Sequence, residues 1–296
     1  MSKFNLQHLK QSLSNTLIGT VLLILTYLFF SVMELTAKEL VLRFNPFLIV
    51  FARYLSQLIL LLIIFNKQFP THLLSNHKPL QILRGALLMI TTCFMFTGLA
   101  HLQFAENISI YMIGPVITTI LAILILKEKI SFTQILVVII GLIGALIIAS
   151  PNKGAFNYAV IFPFLAALCF AFFTISTKFL NTSDSNQTTL LFTAITGTIL
   201  SLPFILYFGK WPDFNDTVLM FCLGLLATIG HFLFIEALKV INASFAAPFV
   251  YLTVLLAAFW GYILYNEIPS QNTLIGAFLI ITAGFIITRF KKKNFR

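Results

Sequence analysis

Between Leu17 and Thr288 the sequence is a succession of ten runs of about twenty mostly apolar residues, joined by short polar connections. A soluble domain carries roughly 25% charged residues; here 59% of the chain is hydrophobic and only 9% charged. No water-soluble core hides that much apolar surface, so the solvent for most of the chain is a bilayer. The expected spans are Leu17–Thr36, Pro46–Phe65, Leu80–Leu99, Ile108–Leu126, Phe132–Ser150, Tyr158–Lys178, Thr188–Phe208, Thr217–Leu238, Ser244–Tyr265 and Thr273–Thr288. Turn residues punctuate the connections: Asn45-Pro46, Ser150-Pro151-Asn152, Asn181–Asn186, Trp211–Asp216 and Pro269–Asn272. The first run is too long for a signal-peptide core and closes on no small-residue cleavage site, so it is expected to be a retained span.

Ten spans put both termini on one side. If that side is the cytoplasm, the inner segments hold Lys3, Lys10, Lys67, Lys78, Arg84, Lys127, Lys129, Lys178, Lys239 and the basic tail Arg289–Arg296. The outer segments hold Lys38, Arg43, Lys153 and Lys210. This is the positive-inside bias of a bacterial inner-membrane protein. The net charge of +10 therefore reads as topology signalling, and no nucleic-acid partner is expected. Cys93, Cys169 and Cys222 lie inside apolar runs without metal-site spacing and read as inert packing.

The chain contains itself twice. Glu34–Leu40 parallels Thr174–Leu180, Phe94–Ala100 parallels Phe232–Leu238, and Leu124–Glu128 parallels Leu264–Glu267, all at an offset of about 140 residues. The predicted units are residues 15–150 and 157–290, each with five spans. An odd number of spans inverts the second unit relative to the first, the architecture of many secondary transporters. The fold expected is therefore all-α, with ten transmembrane helices in two inverted five-helix repeats.

The Pro-bearing span 4 (Ile113–Glu128, with Gly114-Pro115), its echo Ala247-Pro248…Tyr251…Pro269, the stretch Arg84-Gly85 and Thr273–Ile281 resemble the EamA-domain proteins of the drug/metabolite transporter superfamily. Within that superfamily Ala247-Pro248…Tyr251 and Asn266–Pro269 are most similar to the S-adenosylmethionine uptake branch. The resemblance covers nearly the whole chain and implies transport of a small metabolite, with the substrate unspecified: amino-acid exporters, S-adenosylmethionine and riboflavin importers and efflux pumps all belong to it. It also implies a central cavity near Tyr111 and Tyr251, and it matches Glu128 and Glu267 to the acidic residue that follows these spans.

Ionisable groups at membrane depth are candidate site residues. Glu34 lies four residues before Lys38, on one helical face, as either a structural ion pair or a site residue. Arg53 keeps its proton and must pair with a carboxylate, carbonyls or substrate; Glu34, on the adjacent span, is one candidate partner. His231 and Glu236 share span 8 about 140° apart around the helix. His231 is either satisfied by a neighbouring helix or a proton carrier; Glu236 either pairs with Lys239 or lines the cavity. Pro115 and Pro248 mark interrupted helices, as site pointers or static kinks. Tyr111 and Tyr251 offer stacking faces for a flat or cationic solute, while Trp260 and Tyr265 read as interfacial belt residues. Glu128 and Glu267 are expected to cap the helix that follows each. Gly141, Gly144, Gly276 and Gly284 suit close helix packing.

No Gly-x4-Gly-Lys-Ser/Thr pattern occurs, so direct ATP coupling is not expected. Nor are a cofactor or a metal: the five histidines form no ligand cluster. The expected partners are a small-molecule substrate and the lipid bilayer; a homodimer stays open. The alternatives to secondary transport are a membrane-embedded transferase, for which Asp184, Asp213 and Asp216 lie wrongly in loops, and a channel, for which no ring of charges is present.

Overall fold

The computed structural model describes residues 3–65, 71–102, 104–149, 158–207, 211–265 and 271–293. Through these run the helices α1 (Lys3–Val41), α2 (Pro46–Phe65), α3 (Lys78–His101), α4 (Phe104–Tyr111), α5 (Gly114–Leu124), α6 (Phe132–Ala149), α7 (Ile161–Leu180), α8 (Asn186–Ser201), α9 (Phe214–Val240), α10 (Ala243–Ala246), α11 (Leu252–Tyr265) and α12 (Gln271–Lys293). Among the described residues seven helical segments are long and apolar enough to cross a membrane, and three shorter apolar helices occupy the remaining predicted spans. Their ends follow local chemistry. Pro46 opens α2, where a missing N–H costs nothing, and the Asn45 side chain accepts from Phe47 N at 3.0 Å. Ser185 and Asp213 cap α8 and α9 through side-chain bonds to Thr188 N and Asp216 N.

The two predicted interrupted spans are indeed broken. Span 4 is split into α4 and α5 across Met112-Ile113, with Pro115 at the start of α5. Span 9 is α10, a 3-10 stretch Ala247–Tyr251 that holds Pro248, and then α11. Proline at the first turn of each new segment removes a donor where no intrahelical acceptor is available. Leu202–Tyr207 continues α8 as a 3-10 turn.

The packing exchanges the two repeats. α1 lies along α9 as α7 lies along α3; α2 lies on α9 as α8 lies on α3; α6 and α12 pair with each other. The equivalence reaches individual residues. A methyl group on Gly85 of α3 would lie 2.8 Å from Thr196 Cβ of α8, and one on Gly224 of α9 would lie 2.4 Å from Ser56 Cβ of α2. Gly224 sits 139 positions after Gly85 and Ser56 sits 140 before Thr196, so the two contacts are exchanged by the offset of the sequence repeat. Gly144 of α6 meets the Gly276 carbonyl of α12 in the same backbone-close manner, at 2.9 Å.

Charged and amide side chains are drawn inside beside a large apolar core, while much of the outer surface is apolar. Arg53, Arg84, Gln57, Gln81, Asn107 and His231 are buried, while Leu17, Ile63, Leu124, Phe132 and Phe278 are exposed. Such a surface is stable against lipid and not against water. Buried Thr hydroxyls, such as those of Thr26, Thr174 and Thr228, are satisfied by the carbonyl one turn back. Cys93, Cys169 and Cys222 remain free thiols.

The two glycine contacts predict different genetics. Gly85→Ala meets only the Thr196 side chain, so its expected cost of about 1–3 kcal/mol is largely relieved by Thr196→Gly. Gly224→Ala also meets Arg53 O and Gln57 N, each at 2.9 Å, so Ser56→Gly does not relieve it. Unfolding temperatures of the purified single and double variants in detergent check both.

Candidate functional site

A central cavity opens where the repeats meet. Its wall comes from α1 (Tyr27, Phe30, Met33, Glu34), α2 (Arg53), a stripe of α3 from Leu88 to Leu99, Tyr111 at the α4 break, Phe170 of α7, His231 of α9, and Val250 and Thr253 beside the span 9 break. The α1 residues recur at helical spacing on one face. The cavity measures about 60 Å³. That is well below the roughly 300–1,000 Å³ of small-molecule sites, so this shape is too tight for a metabolite.

The cavity's chemistry centres on Arg53, which is 1% exposed. Its Nη1 donates to Thr92 Oγ1 at 3.0 Å, and its Nη2 lies 2.9 Å from His231 Nε2. The guanidinium also sits over the Tyr54 ring at 4.6 Å. A guanidinium only donates, so His231 Nε2 accepts and the neutral imidazole carries its proton on Nδ1. Phe30 and Phe173 hold the ring in place, with centroids 4.8 and 5.7 Å away. Two donors are left over: Arg53 Nε and His231 Nδ1 are buried without a hydrogen-bond partner.

Several expectations need correction here. Glu34 and Arg53 line the same cavity but form no ion pair with each other; Arg53 reaches across to α9 instead of along the α1–α2 hairpin. Nε2 of His231 is occupied by a cation, so a proton added there would set two positive donors face to face. Glu236 does not line the cavity. It accepts from Asn186 Nδ2 and from Lys239 Nζ, and so ties α8 to the end of α9. Pro115 lies at the α5 start, outside the cavity wall. Tyr251 is 1% exposed; its hydroxyl donates to Val138 O at 2.9 Å and its ring lies against Gly141. It and Pro248 line a separate apolar cavity of about 260 Å³ beside α12. Trp260 is more than a belt residue, since its indole donates to Ser31 Oγ at 3.1 Å. Glu128 caps a helix, though not the one that follows it. Its carboxylate accepts from Ala243 N, Ser244 N and Ser244 Oγ at the start of α10, aimed there by a left-handed turn at Lys127 (φ 52°). Glu267 lies outside the described residues.

Arg84, read from the sequence as a topology charge, is fully buried. It donates to Thr177 Oγ1, Thr193 Oγ1 and Thr189 O and sits over the Phe173 ring at 4.4 Å. Beside it, Asp184 in the α7–α8 corner accepts from Ser75 Oγ (2.5 Å), Asn76 N (3.1 Å) and Gln81 Nε2 (2.8 Å) at the entry to α3. The equivalent place in the other repeat holds a different bond: Arg43 in the α1–α2 corner pairs with Asp216 at the entry to α9. The two clasps are at opposite ends. Asn181 of the α7–α8 corner bonds Ile235 O, about 28 Å along α9 from Asp216 at 1.5 Å per residue.

A membrane carrier with a partly open cavity, lined by charged, polar and aromatic side chains between two equivalent helical units, is the class this architecture defines. The profile of the EamA-like transporter family matches residues 17–150 and again residues 157–289, and the chain belongs to that family. It is a membrane transporter of a small metabolite. It is 28% identical over 287 residues to the S-adenosylmethionine uptake transporter of Rickettsia prowazekii, covering 97% of both chains. It is 25% identical to the riboflavin transporter of Brucella anthropi, covering 82% of this chain and 87% of that one. A crystal structure 16% identical in sequence shares the fold with a TM-score of 0.79, over 95% of this chain and 98% of the other.

The Asp184 clasp predicts an acid sensitivity. Burial pushes its carboxyl up, but the bonds from Ser75, Gln81 and Asn76 N and the charge of His77 outweigh this and hold it below the ordinary value of 3.8. A depressed folded value means the stabilisation is complete above about pH 4 and is lost as pH falls through the folded value. Asp184→Asn is expected to lower the unfolding temperature by about 2–4 °C near neutrality, and the difference from the native chain is expected to vanish as pH falls through the folded value.

Proposed function

We propose that this chain is an S-adenosylmethionine uptake carrier of the inner membrane, working by alternating access around the Arg53–His231 cavity. In this reading ten spans form two inverted repeats and both termini are cytoplasmic. The observation that carries it is the cavity itself, lined from both repeats, with Arg53, His231 and Glu34 set among Tyr27, Phe30, Phe96, Tyr111 and Phe170. Aromatic faces suit both an adenine ring and a sulfonium cation. The relatives supply the substrate and the direction; the repeat-equivalent clasps supply the gates. The Arg43–Asp216 clasp closes the outer end and the Asp184 clasp the inner end. Opening either alone exposes the cavity to one side, which is what two interchangeable halves of inverted topology achieve. No ATP motif is present, so an ion gradient or substrate exchange supplies the energy. Neutral His231 held by Arg53 favours exchange, which needs no proton carrier. Of the sites expected from sequence, Glu34, Arg53, Tyr111 and His231 belong to the cavity; Pro115, Pro248, Tyr251 and Glu236 shape or brace the helices.

Uptake of radiolabelled S-adenosylmethionine into cells expressing the chain tests the reading. Accumulation above vector controls is expected, with trans-stimulation by preloaded S-adenosylmethionine. Arg53→Ala and Glu34→Ala are expected to reduce the rate at least tenfold, and Trp260→Phe less than threefold, the loss of about one hydrogen bond. Equal rates in all three variants would count against the cavity as the transport site.

A further inference from the structure

The unmet donors and the held-apart charges say more about the ligand than its size class. Among the described residues no carboxylate makes an ion pair with Arg53, which faces the cavity and is held by Thr92, His231 and the Tyr54 ring. Its Nε and the Nδ1 of His231 are buried donors without partners, and a buried unmet donor is costly. Glu34 lines the same cavity and is not neutralised by Arg53. A protein that required only internal charge balance would bring these two groups together. Left unpaired with each other, they give the cavity wall a donor-only cation and an acceptor among aromatic rings. The complement of such a cavity is a zwitterion.

Building on the proposed uptake function, we infer that Arg53, oriented by Thr92 and His231, is a carboxylate clamp, and that Glu34 receives the cationic group of the same ligand, so that the carrier selects an α-amino-acid headgroup. The guanidinium fork matches a carboxylate in two bonds, and the opening that admits a ligand frees the Arg53 and His231 donors to meet it. The aromatic wall of Phe30, Phe96 and Tyr111 then takes whatever the amino acid carries.

The test uses matched ligand pairs competing for binding to the purified carrier in lipid nanodiscs. S-adenosylmethionine is set against its decarboxylated form, and other α-amino acids against the amines and the deaminated acids derived from them. In the native protein, removal of the carboxylate is expected to weaken competition ten- to a hundredfold, the loss of charge-assisted bonds. Arg53→Gln is expected to erase the preference for acid over amine, with Arg53→Lys between. Glu34→Gln is expected to erase the preference for amino acid over deaminated acid and to leave the first preference intact. Thr92→Val, which removes only the hydroxyl holding Nη1, keeps the clamp testable if Arg53→Gln does not fold; a several-fold loss confined to carboxylate-bearing ligands is expected. No preference in any pair, or a preference that survives Arg53→Gln and Thr92→Val, overturns the clamp. Rejection of S-adenosylmethionine with an Arg53-dependent preference in another pair overturns the substrate reading and leaves the clamp standing.

Discussion

A guanidinium cannot be left alone in hydrocarbon, and this fold places two there. The guanidinium groups of Arg53 and Arg84 donate and never accept, so the acceptors they meet come from the chain. Arg84 is met by three threonines from α7 and α8; Arg53 is met by α3 and α9. Each therefore fastens helices of different repeats. Both also lean on aromatic rings, Tyr54 and Phe173, which supply negative faces without bringing a second charge to be desolvated. The interior is polar because these two cations make it so, and the helices can approach closely enough to serve them because Gly85 and Gly224 remove the side chains between the backbones.

Duplication then does the rest. The same glycine contact is made twice, and the same corner-to-helix clasp is made at each end, with different chemistry. Equivalent halves have equivalent packing alternatives, so a shape in which one end is closed implies a mirror shape of similar energy in which the other is. The breaks at Met112-Ile113 and Ala247–Tyr251 are placed where such shifts are easiest, because the backbone there has already left the helical hydrogen-bond ladder.

Much of this was legible in the sequence, for reasons that are local. α2 begins and ends where Pro46 and Phe65 said it should, since proline and hydropathy both act on neighbouring residues. The two interrupted spans were signalled by Pro115 and Pro248. The failures share one cause, which is that spatial neighbours were inferred from chain neighbours. Glu34 was matched to Arg53 because their helices are consecutive, whereas the guanidinium crosses to a residue 178 positions away. Glu128 was assigned to the next helix and caps one 115 positions off. Tyr251 carries the stacking chemistry expected of a site residue, but Gly141 opposite it makes a socket that locks the ring into packing. The Gly85–Gly224 equivalence was within reach of the repeat offset and needed only that the offset be applied to glycines as well as to the longer matches.

The unlike chemistry of the two clasps has a consequence for how the protein meets its surroundings. Arg43 in its ion pair is 45% exposed, so dissolved salt screens that bond directly. The Asp184 clasp is made mainly of hydrogen bonds from neutral donors and answers to acidity more than to salt. A rise in salinity therefore weakens one clasp more than the other. Two halves built on one repeated unit have in this way acquired clasps that answer to different solution conditions.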